Sequence, residues 1–268
     1  MKRFHVIVNS SKDPNGVYTA QITAALRSVG AEHVTIGPSV PDDTDAIIVL
    51  GGDGTMLRAA GNNFGRNIPL LGVNIGNLGY LTECDMGGDL ERDMRKLIDG
   101  DITIENRMMM CGKIYKSKKA KTEDHCLNDI TITGCGALCL IRYALYVNNE
   151  YLNNYSADGL VISTPTGSTG YNMSAGGPIA QPRANLIIVT PICPHTLNTR
   201  SIVLSPDDRI EVRIVEGQTV PVAAQFDGRD PYMLEAGDSI QICRSTEVTR
   251  IIKIRRESFL NTLHEKLV

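Results

Sequence analysis

The sequence predicts an α/β N-terminal domain with a parallel sheet, followed by an all-β C-terminal domain. Up to Gly100, short apolar runs alternate with helical spacing, which is typical of a parallel sheet covered by helices. Beyond Gly100 the helical spacing disappears, and short runs with strand composition follow at close intervals. The last segment, 258–268, puts Phe259, Leu263 and Leu267 on one helix face, so we expect this helix to pack back on the first domain.

These patterns predict domain boundaries and elements. The α/β domain spans 1–100, with 255–268 returning to it, and the all-β domain spans 101–254. In the first domain the predicted strands are 4–8, 33–36, 46–50 and 69–75, and the predicted helices are 14–29, 56–60 and 90–98. Glycines close two of these helices, as they do at many helix C-termini. Ligands of a parallel sheet bind outside the carboxyl ends of its strands.

The elements of the second domain are predicted from strand composition alone. Its predicted strands are 102–116, 129–133, 140–147, 160–163, 186–190, 209–215, 220–226 and 239–244. The lysine-rich piece 116–121 is expected to be an exposed hairpin tip, and Asn148-Asn149 a tight turn.

A glycine loop at the end of a buried strand is the strongest local signal. The run 46–50 leads into Gly51-Gly52-Asp53-Gly54-Thr55, and helix formers follow. Glycines let a ligand approach the backbone, and a helix N-terminus offers free N–H groups to an anion. The loop matches neither the P-loop nor the dinucleotide fingerprint, because Leu57 stands where the latter requires its third glycine. The order strand, loop, helix therefore predicts a phosphate site.

The loop also contains a carboxylate, Asp53, which is unfavourable beside a phosphate. Phosphates repel Asp53 unless it accepts a proton or organises Mg²⁺. Two roles therefore stay open, a base for a hydroxyl nucleophile and a magnesium organiser, beside the structural alternative that Asp53 only caps the helix.

Composition excludes several classes of partner. A net charge of −3 and the absence of Trp argue against nucleic acid as a partner, and no apolar run approaches a membrane span. The N-terminus does not resemble a signal peptide. The seven cysteines are scattered without a Cys-x-x-Cys pair, so they indicate neither disulfides nor a zinc site. We expect a cytoplasmic protein with reduced thiols.

Three polar clusters follow in the β half. Asn128-Asp129 stands at the entrance to a strand and suits either a ribose diol or an Asx turn. The segment 158–172 opens from a strand into a loop rich in Ser, Thr and Gly, whose hydroxyls suit phosphate and ribose oxygens, and Tyr171 could pack on a base. In 191–197, Cys193 and His195 are expected to be structural rather than a metal pair. Asp227-Gly228 has the local signal of a hairpin turn.

Together these motifs resemble the NAD kinase family. The resemblance is carried by Gly51-Gly52-Asp53-Gly54-Thr55, Asn128-Asp129, the 158–171 stretch and 191–196, in the family's order and spacing. It runs from the first strand to about residue 245. It implies a Rossmann-like, phosphofructokinase-like first domain and an NAD-binding second domain. It also implies transfer of the γ-phosphoryl group of ATP to the 2′-hydroxyl of the adenosine ribose of NAD, which gives NADP.

The resemblance also implies roles for individual residues. Asp53 is the implied catalytic base, and the implied ATP phosphate loop is Gly51, Gly52, Gly54 and Thr55. The implied NAD-binding residues are Asp53, Gly54, Arg58, Tyr80, Asn128, Asp129, Asp158, Thr169, Gly170, Tyr171, Asn172, Met173, Ser174, Asp227 and Arg229. Mg²⁺, or another divalent metal ion, is expected to be held largely by ATP and water rather than by a protein cage. The resemblance further implies a homodimer or homotetramer, with the active site near a subunit interface.

Two positions depart from the family's pattern, and two alternatives remain. Gly170 stands where the family usually has Ala, and Asp129 where it has Glu. Both departures are compatible with the activity, and they leave affinity and the choice between NAD and NADH open. The first alternative is a lipid kinase acting on diacylglycerol or a sphingoid base, which shares the Gly-Gly-Asp-Gly-Thr loop. The second is a non-catalytic NAD(P)-binding sensor, against which the intact Asp53 argues.

Overall fold

A computed structural model describes residues 1–76, 79–136, 139–195, 199–255 and 259–267. The chain divides into two compact units. Unit 1 comprises Met1–Arg107 and Val248–Val268, and unit 2 comprises Met108–Glu247. No helix within the described residues is both long and apolar enough to cross a membrane.

Unit 1 is built on parallel strands alternating with helices. Its elements up to the first boundary are β1 (Arg3–Val8), α1 (Val17–Ser28), β2 (His33–Ile36), β3 (Ala46–Gly51), α2 (Asp53–Asn62), β4 (Leu70–Asn74), β5 (Cys84–Asp85) and α3 (Leu90–Asp99). The strands lie in the order β2-β1-β3-β4, and each neighbouring pair is parallel. β3 and β4 are buried along their whole length, which explains their continuous apolar runs.

The first helix is shorter than predicted. It begins at Val17 instead of Pro14, because Gly16 before it adopts a left-handed conformation with φ of 67°. The Asp13 carboxylate accepts hydrogen bonds from the N–H groups of Tyr18 (3.2 Å) and Thr19 (2.9 Å), which satisfies donors of the first turn. Residues 14–16 therefore form a capping turn.

Unit 2 is built from two sheets. Its elements are β6 (Thr103–Lys116, beginning in unit 1), β7 (Lys119–Cys126), β8 (Asp129–Gly134), β9 (Ile141–Val147), β10 (Glu150–Ala157), β11 (Gly159–Ser163), a 3₁₀ turn (Thr166–Thr169), α4 (Tyr171–Ser174), β12 (Ile187–Ile192), β13 (Ile202–Leu204), β14 (Ile210–Ile214), β15 (Val222–Phe226), β16 (Tyr232–Leu234) and β17 (Ser239–Lys253, ending in unit 1). One sheet is antiparallel, in the order β13-β12-β11-β8-β15-β16. The other contains β10-β9-β14-β17, with β6 paired to β17 and β7.

Alternate residues of both sheets meet in one core. Ile130 and Ile132 of the first sheet belong to the same buried cluster as Tyr143, Val212 and Ile242 of the second. The two sheets therefore pack face to face, as in other antiparallel β domains.

Several strands of unit 2 escaped prediction. β7, β10, β13 and β16 were not predicted, and β17 is nine residues longer than the predicted 239–244. β7 reads Lys-Ala-Lys-Thr-Glu-Asp-His-Cys, and most of its residues are exposed or half-buried, so it lacks the apolar alternation that marks a strand. The predicted hairpin tip does occur, at Ser117 and Lys118, which both have positive φ. Asn148 and Asn149 likewise form the expected turn, with φ of 51° and 67°.

The C-terminal stretch belongs to unit 1. The end of β17 pairs parallel with β4, with Ile251 opposite Leu70, and Ile252 and Ile254 lie in the core of unit 1 with Leu71 and Val73. A last helix, α5 (Phe259–Leu267), follows, and the Lys266 ammonium lies 4.2 Å from the centre of the Tyr80 ring. The predicted fold class is therefore confirmed, including the return of the C-terminal helix. Ser258 and Val268 of that predicted helix, Asn77 and Leu78 of the predicted turn 76–82, and Thr196 and Leu197 of the cluster 191–197 lie outside the described residues.

Candidate active site

A pocket of about 330 Å³ lies at the carboxyl ends of the strands of unit 1. The order β2-β1-β3-β4 places β2 on one side of β1 and the later strands on the other. Such a reversal opens a crevice between the loops that follow the two central strands. The lining residues come from the loop after β1, the loop after β3, the first two turns of α2 and Gly79: Asn9, Lys12, Gly52, Asp53, Gly54, Thr55, Arg58 and Gly79.

The Asp53 side chain is fixed by backbone donors. Its Oδ2 accepts a hydrogen bond from the Tyr80 N–H at 2.8 Å, and its Oδ1 accepts one from the Leu81 N–H at 2.9 Å. The residue that caps α2 is Gly52, with no side-chain cap, so Asp53 does not act as the N-cap. Each carboxylate oxygen keeps a further lone pair for a hydroxyl donor or a cation.

Two glycines make this arrangement possible. A Cβ at Gly79 would lie 2.2 Å from Asp53 Oδ1, and a Cβ at Gly51 would lie 2.3 Å from Thr55 Oγ1. Both distances are far below van der Waals contact, so any side chain would displace the Asp53 carboxylate or the first turn of α2. Gly54 has nothing near its Cβ position and stands open to the pocket.

Lys12 was missed by the sequence analysis. Its ammonium is close to both glycine segments, since Nζ would lie 3.7 Å from a Cβ at Gly52 and 3.0 Å from one at Gly76. It therefore supplies the positive charge that an anionic ligand of this loop requires. Asn9, also missed, donates from Nδ2 to Thr55 Oγ1 at 3.5 Å. The available signal was the position of both residues just after a strand of the parallel sheet.

The other two predicted residues of unit 1, Arg58 and Tyr80, differ in what they contribute to the site. Arg58, in the second turn of α2, is exposed and lines the pocket. Tyr80 contributes its backbone N–H to Asp53, while its ring faces Lys266. Partial burial and the neighbouring Asp53 charge raise the pKa of the Tyr80 phenol, so this group stays neutral near neutral pH.

A second polar group lies at one end of the antiparallel sheet in unit 2. The start of β8, the end of β11 and the end of β15 meet there, because Asp129 pairs with Ser163 and Phe226 with Ile130. Asp227 adopts φ of 50° and Gly228 φ of 65°, with the Arg229 N–H donating to the Phe226 carbonyl at 3.0 Å. Asp227-Gly228 is thus a tight turn, as its local signal suggested.

The Asp227 carboxylate holds the segment 127–129 through its backbone. It accepts from the N–H groups of Leu127 (2.8 Å), Asn128 (2.7 Å) and Asp129 (3.2 Å). Burial raises the pKa of Asp227, and these three donors oppose that effect by stabilising the charged form. The Asn128 and Asp129 side chains are thereby presented from a fixed backbone. Among the described residues, Asn128 Oδ1 is one of four buried polar side-chain atoms without a hydrogen-bond partner.

Asp129 is the most perturbed carboxyl group of this cluster. Burial, and next to it the negative charge of Asp227, raise the pKa of Asp129 to about 7. Such shifts concentrate at ligand sites, although structural carboxyl pairs also produce them.

The hydroxyls of the Ser/Thr loop bond mostly within the protein. Thr164 Oγ1 donates to the Leu127 carbonyl at 2.6 Å, and Ser168 Oγ donates to the Pro165 carbonyl at 2.7 Å. Ser163 Oγ bonds to the Thr164 carbonyl at 2.9 Å. These hydroxyls build the loop and are not free for a phosphate. Thr166 Oγ1 is the exception, because it is buried and has no hydrogen-bond partner among the described residues. The sequence analysis included Thr166 in the segment 158–172 but did not name it.

The segment Thr169–Ser174 forms the end of the 3₁₀ turn and the one-turn helix α4. Asn172 is buried, and its amide is used internally: Nδ2 donates to the Ser168 and Pro178 carbonyls, and Oδ1 accepts from Thr190 Oγ1 at 2.7 Å. Tyr171 and Ser174 are exposed, while Thr169 and Met173 are half-buried. A Cβ at Gly170 would lie 3.4 Å from Asn128 Nδ2 and 3.7 Å from Asp129 Oδ2, so this backbone borders the polar pair.

Two predicted residues lie apart from the pair Asn128-Asp129. The Arg229 guanidinium is bound to Asp124 Oδ1 at 2.9 Å, to the Phe226 carbonyl and to the His125 carbonyl, so it supports the turn. Asp158 is exposed at the opposite end of β11, because Gly159 pairs with Thr133 whereas Ser163 pairs with Asp129. Five residues of strand correspond to roughly 16 Å.

The fold and the two polar groups define a class. A glycine loop with an acid and a lysine at the ends of parallel strands is the arrangement of a phosphate site, and the Asn-Asp pair suits a ribose. These features are those of a nucleotide-dependent phosphotransferase.

Comparison with known proteins specifies the family. Residues 5–102 match the ATP-NAD kinase N-terminal domain family, and residues 127–254 match the ATP-NAD kinase C-terminal domain family. The chain is 43% identical over 294 aligned residues to an NAD kinase of Lachnospira eligens, with 100% of both chains covered. The chain therefore belongs to the NAD kinase family, as its motifs indicated, and the comparisons do not support the lipid-kinase and sensor alternatives.

Two solved structures are also similar. An NAD kinase from Archaeoglobus fulgidus in complex with ATP superposes with a TM-score of 0.81 at 25% identity, covering 99% of this chain and 98% of that one. A yeast NADH kinase complexed with NADH gives a TM-score of 0.83 at 22% identity, covering 100% of this chain and 88% of that one. The second likeness concerns the fold alone.

Proposed function

We propose that this protein transfers the γ-phosphoryl group of ATP to the 2′-hydroxyl of the adenosine ribose of NAD, with Asp53 as the base. The 2′-oxygen forms a bond to the γ-phosphorus, the bond from that phosphorus to the β–γ bridging oxygen breaks, and ADP leaves. The hydroxyl proton passes to the Asp53 carboxylate. The observation that carries the proposal is the backbone-fixed Asp53 inside an anion-binding loop.

The residues of unit 1 support binding of the ATP phosphates. Gly52 and Gly54 at the N-terminus of α2 offer backbone to phosphate oxygens, and the Lys12 ammonium offsets their charge. Arg58 supplies a second cation at the edge of the same pocket. Because a carboxylate at this place repels phosphate, the charges of Lys12 and Arg58 are needed for ATP to remain beside Asp53.

The residues of unit 2 support binding of NAD. Asn128 Oδ1 receives no hydrogen bond from the part of the chain that the structure describes, and a ribose hydroxyl would provide one. Ionised Asp129 accepts from the adjoining hydroxyl. Gly170 borders the pair, and the exposed ring of Tyr171, the next residue, offers a surface for stacking of a base. Asp227, Asn172 and Arg229 act as positioning residues, because their polar atoms are taken up by backbone and neighbouring side chains.

The donor set of unit 1 fits Mg²⁺ that arrives with ATP. Asp53 is the one carboxylate among the described residues that line the pocket, and both of its oxygens already accept a backbone hydrogen bond. Mg²⁺ tolerates such a site when phosphates and water supply the other ligands. When bound, the ion neutralises charge on the transferred phosphoryl group.

We further propose a cytoplasmic homo-oligomer, a homodimer or homotetramer. The exposed position of Asp158, about 16 Å of strand away from Asn128-Asp129, supports a role in the NAD site of a neighbouring subunit. Tyr151 and Leu152, both exposed on the outer strand β10, offer an apolar edge for such contacts.

The experiment measures NADP by chromatography after the purified protein reacts with ATP, Mg²⁺ and NAD. Wild type is expected to form NADP, and Asp53→Asn to lower kcat about 10²–10⁴-fold, the usual contribution of a general base. NAD affinity, measured by calorimetry, should change little, because Asn keeps the size of the side chain. Exposed Asp101→Asn serves as the matched control and should leave kcat unchanged.

Two results would contradict the proposal. NADP formation by Asp53→Asn at the wild-type rate would exclude Asp53 as the base. NAD binding by wild type without any NADP would exclude the kinase reaction and leave a binding protein.

A further inference from the structure

A group of three metal-binding side chain types lies on one face of the β6–β7 hairpin. Cys111 on β6 stands directly opposite His125 on β7, and Glu123 lies two residues before His125, so all three side chains point to the same face. Within the described part of the chain, one ligand atom from each, a thiol sulfur, an imidazole nitrogen and a carboxylate oxygen, lies within 4.8 Å of the other two.

These distances are close to those of a metal centre. Ligands around tetrahedral Zn²⁺, at about 2.0–2.3 Å from the metal, are separated by roughly 3.3–3.6 Å. His125 Nε2 is 3.9 Å from Glu123 Oε1, so a small rotation of the Glu123 side chain closes the gap. Because two paired strands carry all three residues, their backbones are already held in register before any ion binds.

The Glu123 carboxylate has two further neighbours, the Lys113 ammonium and the Cys111 thiol, which hydrogen-bonds to it. Lys113 Nζ lies 3.5 Å from Glu123 Oε2, whereas His125 Nε2 lies 3.9 Å from Glu123 Oε1. The salt bridge therefore uses Oε2, while Oε1 faces the imidazole. An ion bound by Oε1 does not require Lys113 to leave.

An ion can reach the group from solvent. Cys111 and His125 are half-buried and Glu123 is exposed. Beside them lies a pocket of about 400 Å³ in unit 2, lined by both Cys111 and Glu123, and also by Glu211 and Cys243. A pocket next to three protein ligands leaves room for water at a fourth coordination position, as in zinc sites with an open position.

We propose that Cys111, Glu123 and His125 bind a divalent transition-metal ion, with Zn²⁺ the best match. One thiolate, one imidazole and one carboxylate suit Zn²⁺ and the chemically similar Co²⁺, whereas Mg²⁺ prefers oxygen ligands alone. Cysteine spacing predicted no zinc site, because that signal requires cysteine pairs, and this group has one cysteine and a Glu-x-His on a strand. The site is not part of the proposed phosphoryl transfer.

The test titrates Co²⁺ into untagged, chelator-treated protein and follows the thiolate-to-cobalt charge-transfer band together with the tetrahedral d–d bands. Wild type is expected to bind one Co²⁺ with both signals, and Zn²⁺ should displace it. Cys111→Ser should abolish the charge-transfer band, and His125→Ala should weaken binding at least about tenfold. The matched control is Cys135→Ser, which alters an exposed cysteine of the same unit and should retain both signals.

Circular dichroism of each variant establishes that it is folded. The proposal is overturned if folded wild type shows no charge-transfer band with Co²⁺. It is overturned equally if Cys111→Ser keeps that band, or if Cys135→Ser loses it.

Discussion

Acidic side chains in this protein are held by backbone N–H groups at both candidate substrate sites. Asp53 accepts two such bonds and Asp227 accepts three. The donors stabilise the negative charge and fix the geometry, so a carboxylate can stand where phosphates or other carboxylates would otherwise disfavour it. At the residue scale, the predictions concern the charges that accompany these two acids.

Lys12 provides the first test. Replacing it with Met keeps the aliphatic stem and removes the ammonium that lies beside Gly52 and Gly76. A charged hydrogen bond to phosphate contributes about 1.5–3 kcal/mol, so kcat/KM for ATP should fall about 10–100-fold. The measurement is initial-rate kinetics with varied ATP. Lys119→Met, on the exposed β7 strand, should leave kcat/KM unchanged, and an equal value for Lys12→Met would remove Lys12 from the phosphate site.

Asp129 predicts a pH dependence of stability. The pKa of Asp129 is about 7 in the folded protein and about 3.9 in the unfolded chain. Between pH values of about 3.9 and 7, the folded state therefore binds more protons at this residue than the unfolded state does. Its contribution is therefore present at low pH and is lost as pH rises through about 7. Asp129→Asn should raise the unfolding free energy relative to wild type, by an amount that grows from pH 4 to about 7 and then stays constant.

Urea unfolding of both proteins between pH 5 and 8 measures this difference. Exposed Asp230→Asn is the matched control and should show no such trend. If the difference between Asp129→Asn and wild type does not vary with pH, the pKa of Asp129 is not raised in the folded protein.

At the element scale, the loop 163–177 is held together by hydrogen bonds of its own polar side chains rather than by apolar packing. Thr164 and Ser168 bond to backbone carbonyls, Asn172 bonds to the Ser168 and Pro178 carbonyls, and the turn packs on the backbone of Asn128. The Ser/Thr pattern therefore shapes the surface that borders the ribose pair. The sequence analysis assigned these hydroxyls to the ligand, and the structure corrects this for Ser163, Thr164 and Ser168.

Gly167 and Gly170 test this packing within one loop. A Cβ at Gly167 would lie 2.2 Å from the Asn128 carbonyl oxygen, whereas one at Gly170 meets nothing closer than 3.2 Å. Gly167→Ala should cost about 1–3 kcal/mol of stability, the usual penalty of overpacking, and should raise KM for NAD because Asn128 must move. Gly170→Ala should cost less than half as much. Thermal unfolding and NAD kinetics compare the two variants, and equal effects would mean that Asn128 does not depend on this contact.

At the scale of the whole molecule, unit 1 is completed by the end of the chain. Glu83 Oε1 accepts from the N–H groups of Ile254 (3.0 Å) and Arg255 (2.7 Å), and its Oε2 is paired with Lys253. Arg255 in turn contacts Asp85 and Asp93 at 3.3 Å. The first 107 residues therefore require residues 248–255, which follow all of unit 2, to close their sheet and core.

Glu83→Ala removes the acceptor of these contacts. The side chain is 3% exposed, and its loss leaves the Lys253 charge and two backbone donors without this partner. We expect a loss of about 3 kcal/mol in unfolding free energy, as for breaking other buried ion pairs. Glu91→Ala breaks an exposed pair with Arg95 and should cost less than about 1 kcal/mol. Denaturant unfolding measures both, and equal losses would mean that Glu83 does not join the C-terminal stretch to unit 1.

The sequence by itself determined the fold class, the family and the position of the glycine loop between a buried strand and a helix. These follow from local order: buried strand, glycines, helix, and later the long run of small polar residues. It did not reveal β7 or β10, because neither strand alternates buried apolar residues with exposed polar ones along its length. The tight turn at Asp227-Gly228 could be predicted, because such a turn needs two adjacent residues with positive φ, and Asp followed by Gly adopts this conformation readily.

Only the tertiary structure decided which polar side chains line a pocket and which bond within the chain. It brought Lys12 to the loop 51–54, although 40 residues separate them, because parallel strands gather their carboxyl ends at one edge. It turned Asn172 and Arg229 inward, where their polar groups satisfy backbone carbonyls. It also assembled Cys111, Glu123 and His125 through strand pairing. Local sequence specifies conformation and residue type, whereas the partner of each polar atom depends on contacts between residues far apart in the chain.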